Sequence, residues 1–159
     1  MSNPSEPGFK PKKSVALSGV PAGNTALSTV GRTGNDLHYR GYDIVDIAEH
    51  CEFEETAYLL IHGRLPTAVE LQSYKSKLKS LRGLPAALRS TLESLPAAAH
   101  PMDVLRTGVS ALGCILPEKD GHDSAGARDI ADRLLASLGS MLLYWQAFSH
   151  EGRRLDVQT

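Results

Sequence analysis

Apolar residues after position 43 recur every third or fourth residue, which is the spacing of one face of an α-helix. The first segment carries four of them at positions i, i+3, i+4 and i+7: Ile44, Ile47, Ala48 and Cys51. Asp43 lies directly before this segment, where a carboxylate accepts a hydrogen bond from a free backbone N–H. Because the same spacing returns in later segments, the pattern predicts a mainly α-helical chain.

Local signals place the ends of the next helices. Gly63 follows an apolar segment that starts near Phe53, and glycine ends a helix readily because it adopts a positive φ. Thr67 and Glu70 have the spacing of a capping box, in which each side chain accepts a hydrogen bond from the other residue's backbone N–H. Pro101 suits a first helical position, since it lacks the N–H that would have no partner there.

The helix after Pro101 has small residues within a largely apolar sequence. Gly108 and Gly113 each lower its stability by about 1 kcal/mol relative to alanine. Close approach of another helix would offset this cost, and that helix could belong to the same chain or to a second copy. A long last helix is predicted to end near Gly152, with this apolar seam: Ile130, Ala131, Leu134, Leu138, Met141, Leu142, Trp145 and Phe148.

The sequence before residue 43 differs in character. Residues 1–13 are rich in Pro, Ser and Lys, which predicts a mobile tail. Short β-permissive pieces separated by glycines follow, and they predict one small hairpin around residues 26–42. We therefore expect one helical unit over residues 14–155, followed by a short polar end at residues 156–159.

Composition excludes several classes of function. The 159 residues are 42% hydrophobic and 22% charged, as in one globular domain, and the net charge of -1 favours neither nucleic acid nor an acidic membrane. The start of the chain has no apolar signal region, and no apolar run is long enough to span a membrane. Cys51 and Cys114 form no CxxC pair, so we expect reduced, core-facing thiols in a cytoplasmic protein.

Candidate chemistry is sparse. The six histidines have no metal-site spacing, HExxH and CxxC motifs are absent, and neither cysteine has the surroundings of an activated thiolate. His100 before Pro101 is expected to cap a helix. The basic residues Lys75, Lys77, Lys79 and Arg82 could attract a polyanion, but a solvated helix face is the favoured interpretation. From the residues alone, the chain is a helical domain with a surface for self-association and no recognisable active site.

Three motifs in register carry a resemblance to a known family. Residues 37–44, LHYRGYDI, resemble the Y-R-G-Y-x-I signature of citrate synthases. Residues 53–67, FEETAYLLIHGRLPT, are similar to the F-E-E-x-A-x-L-L-x-x-G-x-L-P-T segment of that family, and residues 100–107, HPMDVLRT, to its H-P-M-D-V-x-R-T segment. The sequence of residues 10–25, with residues 35–38, resembles the bacterial 2-methylcitrate synthases more than ordinary citrate synthases.

The resemblance implies a citrate synthase-like, multihelical large-domain portion preceded by the small hairpin. It implies an enzyme that condenses propionyl-CoA or acetyl-CoA with oxaloacetate and releases CoA, with the CoA thioester as co-substrate and no other cofactor. The base and the two histidines of that chemistry lie in later motifs, H-G-G, G-F-G-H-P and an aspartate beyond them, which this sequence does not contain. We therefore expect an amino-terminal portion that carries no catalytic residue and is inactive alone.

The resemblance also implies a substrate contact and a partner. Lys79 is matched to a family position that contacts substrate carboxylates. A homodimer is expected through the helix that contains Gly108 and Gly113. The alternatives are a fragment of an ordinary citrate synthase and a non-enzymatic helical dimerisation module; a helix-turn-helix DNA binder is disfavoured by the balanced charge.

Overall fold

A computed structural model describes residues 25–31, 36–117 and 124–157. The elements in chain order are as follows: β1 (Ser28–Val30), β2 (Leu37–Tyr39), β3 (Tyr42–Asp43), α1 (Ile44–His50), α2 (Phe53–His62), α3 (Ala68–Leu81), α4 (Ala86–Glu93), α5 (Pro101–Ile115) and α6 (Ser124–Glu151). The predicted mainly helical fold is confirmed. The predicted tail, residues 1–13, lies outside the described residues.

The three strands form an antiparallel meander in the order β1-β2-β3. The predicted hairpin is confirmed, and β3 is an addition that the prediction missed because it has only two residues. The turn into β3 uses Arg40 and Gly41, both with positive φ (51° and 92°), as a tight two-residue hairpin requires. Arg40 also donates from its guanidinium to the carbonyl oxygen of Leu60 at 2.8 Å, so this hairpin is tied to α2.

The predicted helix ends are confirmed by their hydrogen bonds. Asp43 accepts from the N–H of Val45 at 2.8 Å. Thr67 and Glu70 form the predicted capping box, with the N–H of Thr67 donating to Glu70 Oε2 at 2.8 Å. Gly63 follows α2 with a φ of 87°. The sequence interpretation missed a further start signal at α2, where the N–H of Glu52 donates to Glu55 Oε2 at 2.8 Å.

Helix α6 packs against four other helices: α2, α3, α4 and α5. Ala136 lies in a small core with residues of α2 and α3, whereas Met141, Tyr144 and Trp145 lie in a larger core with residues of α4 and α5. Because α6 is covered on more than one side, its buried surface is wider than the predicted seam. The buried set includes polar residues that the seam left out: Asp132, Ser137 and Ser140.

The two glycines of α5 have different environments. A Cβ atom on Gly108 would lie 2.9 Å from Met141 Sδ and 3.5 Å from Leu92 Cδ2, so this glycine permits the close contact of α5 with α6. Gly113 is exposed, and a Cβ there would meet nothing within 4 Å. The question left open by the sequence is therefore answered for Gly108, which belongs to the core of this chain.

The expectation of core-facing thiols is wrong. Cys114 is exposed and Cys51 is only partly buried, and both are free. Val104, Gly108 and Leu112 define the inward face of α5. Cys114 lies two residues after Leu112, which is a rotation of roughly 200° about the helix axis. Its side chain is therefore carried to the outer side of α5.

The segment after α6 folds back against α4. Glu93 accepts hydrogen bonds from the hydroxyl of Tyr144 at 2.6 Å and from both Nε and Nη2 of Arg154, at 2.8 and 2.9 Å. The Arg154 guanidinium is the main reason that the pKa of Glu93 is lowered to about 2. Leu155 and Val157 pack against the larger core, so the segment adds apolar contacts to this ion pair.

The contact at Gly108 leads to a testable prediction about stability. Gly108→Ala gains helix propensity but forces a methyl group onto the buried Met141, whereas Gly139→Ala on α6 gains propensity without a contact. We expect Gly108→Ala to be less stable than Gly139→Ala by about 1–3 kcal/mol in urea denaturation. Equal stability of the two variants would contradict the close approach of α5 and α6.

Candidate functional site

A buried carboxylate joins α3 to α6. Asp132 is fully buried, and its Oδ1 accepts a hydrogen bond from the hydroxyl of Tyr74 at 2.7 Å. Its Oδ2 accepts from Lys77 Nζ at 2.7 Å, and the same ammonium donates to the exposed Asp129 at 2.9 Å. Burial and the bond to Asp132 raise the pKa of Tyr74 above its usual range. The buried charge of Asp132 is thus matched by Lys77, as a buried carboxylate requires.

His62 lies beside this network on α2. Its ring stacks on Tyr58 with the centroids 4.1 Å apart and meets the edge of Tyr74 at 5.8 Å. Its Nε2 is buried and has no hydrogen-bond partner among the described residues. Burial lowers the pKa of His62, against an opposing effect of Asp132. The neutral imidazole is therefore favoured at this position.

These side chains border a shallow cleft of about 270 Å³ between α2 and α3. Its lining consists of Tyr58, His62, Val69, Glu70, Ser73, Tyr74 and Lys77. The charges along it are paired, since Glu70 binds Arg64 and Lys77 binds two aspartates. The cleft offers aromatic surface and the Nε2 of His62, which has no hydrogen-bond partner in the part of the chain that the structure describes. It does not combine an activated nucleophile with a base.

The basic face of α3 is only partly solvated. Lys75 donates to Glu52, and Lys77 binds Asp129 and Asp132, so two of the residues assigned to a solvated face are ion-paired. Lys79, the proposed substrate contact, is exposed and forms no ion pair within the described part of the chain. It does not line the cleft.

The other candidates have structural roles. His100 Nδ1 accepts a hydrogen bond from the N–H of Met102 at 3.2 Å, which confirms the predicted cap of α5. Asp103 and Arg106 pair with each other at 2.9 Å. Within residues 25–31, 36–117 and 124–157, no group of three His, Cys, Asp or Glu side chains could hold a metal ion. His122 lies outside these ranges.

The outer side of α5 carries an exposed strip: Met102, Arg106, Ser110, Gly113 and Cys114. Met102 is the exposed large apolar side chain of this strip, at 63%. Gly108 is buried on the opposite side and does not belong to this outer face of α5.

No helix in the part of the chain that the structure describes is long and apolar enough to cross a membrane.

The two aspartates that share Lys77 provide a matched test of the buried network. Asp132→Asn leaves Lys77 without its buried partner and is expected to destabilise the chain by about 1–3 kcal/mol. Asp129→Asn removes an exposed partner of the same lysine and should cost about 0–1 kcal/mol. Urea denaturation of both variants measures the difference. An equal loss would contradict a special role of the buried carboxylate.

Comparisons with known proteins agree on one family. The family model described as "Citrate synthase, C-terminal domain" matches residues 16–159. The chain is 54% identical over 145 residues to the 2-methylcitrate synthase of Shewanella oneidensis, covering 91% of this chain and 38% of that protein. It is 47% identical over 126 residues to 2-methylcitrate synthase 2 of Corynebacterium glutamicum, covering 79% of this chain and 33% of that protein.

A solved structure gives the same result. The citrate synthase of Thermotoga maritima superposes with a TM-score of 0.74 at 32% identity, covering 89% of this chain and 36% of that one. The chain therefore spans less than two fifths of the length of each of these relatives. The fold and the sequence agree, and the chain belongs to the citrate synthase family.

Proposed function

We propose that this chain is the amino-terminal portion of a 2-methylcitrate synthase. The whole enzyme would condense propionyl-CoA with oxaloacetate to give 2-methylcitrate and CoA, and acetyl-CoA would give citrate in the same way. The observation that carries the proposal is the 54% identity to the Shewanella enzyme, which extends over 91% of this chain. Identity to the Thermotoga citrate synthase is 32%, so an ordinary citrate synthase is the second candidate.

The position within the whole enzyme is part of this proposal. The matching family model is named for a carboxy-terminal domain, whereas the motifs in residues 37–107 resemble those that precede the catalytic motifs of the family. We assign residues 14–155 to the helical large domain. The free cysteines support a cytoplasmic enzyme.

In this proposal the chain supplies a scaffold and no catalytic group. His100 caps α5, His62 is stacked on Tyr58, and Asp132 is bound by Lys77 and Tyr74. Acid–base catalysis needs groups that reach the reacting atoms of bound substrate. His100 and Asp132 are committed to hydrogen bonds, and His62 lies in a cleft whose lining does not combine it with an activated nucleophile. Lys79 has no ion pair within residues 25–31, 36–117 and 124–157, and it keeps the role of a substrate contact in the proposal.

A chimera tests the proposed activity. We expect the Shewanella 2-methylcitrate synthase to release CoA from propionyl-CoA and oxaloacetate after its homologous segment is replaced by residues 14–155 of this chain. The physical reason is that a segment 54% identical to the one it replaces would adopt the same helical fold and position the remainder of the enzyme in the same way. Release of CoA is followed with a chromogenic thiol reagent, with acetyl-CoA as the competing acyl donor.

The controls separate scaffold from chemistry. The isolated 159-residue chain is expected to show no oxaloacetate-dependent release of CoA under the same conditions, and sustained turnover by it would overturn the assignment of a scaffold. A chimera that folds, as shown by its circular dichroism and cooperative unfolding, but remains inactive would contradict the proposed function.

We further propose that the chain forms a homodimer through the outer face of α5, the helix that contains Gly108 and Gly113. Met102 exposes apolar surface there, and Gly113 leaves room for a second helix because nothing lies within 4 Å of its Cβ position. Arg106 is already paired with Asp103, so the face presents little unpaired charge. A non-enzymatic dimerisation module would use the same surface.

Sedimentation equilibrium tests this surface with two matched variants. Gly113→Arg places a long charged side chain on the outer face of α5 and is expected to yield monomers, because the cation would be buried in the contact without a partner. Gly139→Arg makes the same change at an exposed position of α6 and should remain dimeric. A native chain that is monomeric at all concentrations, or a dimeric Gly113→Arg variant, would contradict the proposed interface.

A further inference from the structure

The three lysines of the described residues all lie on α3 and differ in their partners. Lys75 Nζ donates to a carboxylate oxygen of Glu52. Lys77 Nζ donates to Asp132 at 2.7 Å and to Asp129 at 2.9 Å. Lys79 is exposed and has neither a hydrogen bond from its side chain nor an ion pair within the described residues. Among the described residues, α3 therefore presents two paired ammonium groups and one that has no partner.

Pairing decides which of these amines can act as a nucleophile. An amine attacks through its lone pair, which exists only after the ammonium has lost a proton. The hydrogen bond to Glu52 raises the pKa of Lys75, and the bonds to Asp132 and Asp129 raise the pKa of Lys77. Each ion pair also holds the nitrogen against a carboxylate. Lys75 and Lys77 are therefore protected by these contacts, whereas Lys79 has no such contact within the described part of the chain.

The surroundings of Lys79 favour an anionic reagent. Arg82 lies three residues further on, which places it on the same side of the helix end. It is exposed, and its side chain has no carboxylate partner in the described part of the chain. The two cations together form a local positive site for a donor that carries phosphate groups, as the CoA moiety does.

We propose that Lys79 is an acylation site that takes its acyl group from an acyl-CoA thioester. The Lys79 nitrogen, as the free amine, attacks the thioester carbonyl carbon, a C–N bond forms, and the C–S bond breaks. CoA leaves with the sulfur electron pair and takes up the proton that the nitrogen loses, so the products are an N-acyl-lysine and free CoA. The step needs no further reagent.

The choice of acyl donor rests on the proposed function, which brings this chain together with propionyl-CoA. Acylation removes the positive charge of Lys79, so it would also abolish the carboxylate contact proposed for this residue. High acyl-CoA would in this way weaken substrate binding by the whole enzyme.

The experiment compares the three lysines within one peptide. The folded chain is incubated with propionyl-CoA at mildly alkaline pH and digested after glutamate, which releases residues 71–93 with all three lysines in one fragment. Tandem mass spectrometry then gives the propionyl occupancy at each lysine. We expect several-fold more label on Lys79 than on Lys75 or Lys77.

Two controls show that the fold causes the difference. In concentrated urea the ion pairs are lost, and the three lysines should react to a similar extent. Glu52→Gln frees Lys75 and should raise its label relative to Lys77, provided that circular dichroism shows the variant to be folded. Arg82→Gln should lower the label at Lys79 while leaving the ratio of Lys75 to Lys77 unchanged.

Other outcomes would overturn the proposal. Equal labelling in the folded chain, a higher label on Lys75 or Lys77, or no label on any of the three would each contradict it. The result is independent of the chimera, since the labelling measures covalent modification of the isolated chain and the chimera measures turnover. An inactive but folded chimera would reject the proposed function and leave the acylation of Lys79 in place.

Discussion

The close contact between α5 and α6 depends on the absence of a side chain at Gly108. Met141 fills that space, with its Sδ only 2.9 Å from the Cβ position of the glycine. Met141, Tyr144 and Trp145 thereby enter the same core as the buried leucines of α4. The contact between Gly108 and Met141 fixes the distance of α6 from α5. At this distance α6 also packs against α2 and α3. The low helix propensity of glycine is thus offset by burial across a helix–helix interface.

The first half of α6 is held by a buried charge, whereas the second half, around Met141, is held by apolar packing. Asp132 lies near the small core of Ala57, Tyr74, Leu78 and Ala136. Its two carboxylate oxygens accept hydrogen bonds from Tyr74 and Lys77 of α3. A buried carboxylate is costly unless it is paired, so α3 can occupy only positions that keep Tyr74 and Lys77 within hydrogen-bond distance. The same lysine also forms an ion pair with the exposed Asp129. The network therefore specifies how α3 lies on α6. It also leaves Lys77 paired, so this lysine does not contribute an unpaired positive charge to the surface of α3.

The parts of the fold that were predictable from sequence are those set by neighbours along the chain. Asp43, Gly63 and the Thr67–Glu70 box act within four residues of a helix end, so their spacing alone predicted their bonds. The Asp132 network joins residues 55 and 58 positions apart, and no local pattern reports such a contact. A signal was nevertheless present: Asp132, Ala136 and Ser140 repeat every four residues, which marks a second buried stripe of small or polar residues on α6. Lys79 was named through resemblance, and its separation from Lys75 and Lys77 required knowledge of their distant partners.

The motifs that identify the family are also those that assemble the scaffold. Arg40, in the first motif, forms the tight turn of the sheet and donates to the carbonyl oxygen of Leu60, in the second. The second motif continues to the Thr67–Glu70 box at the start of α3, and the third begins with His100, whose imidazole caps α5. Their residue types are needed for backbone geometry and for capping. Such motifs therefore identify the family, but they do not identify the substrate.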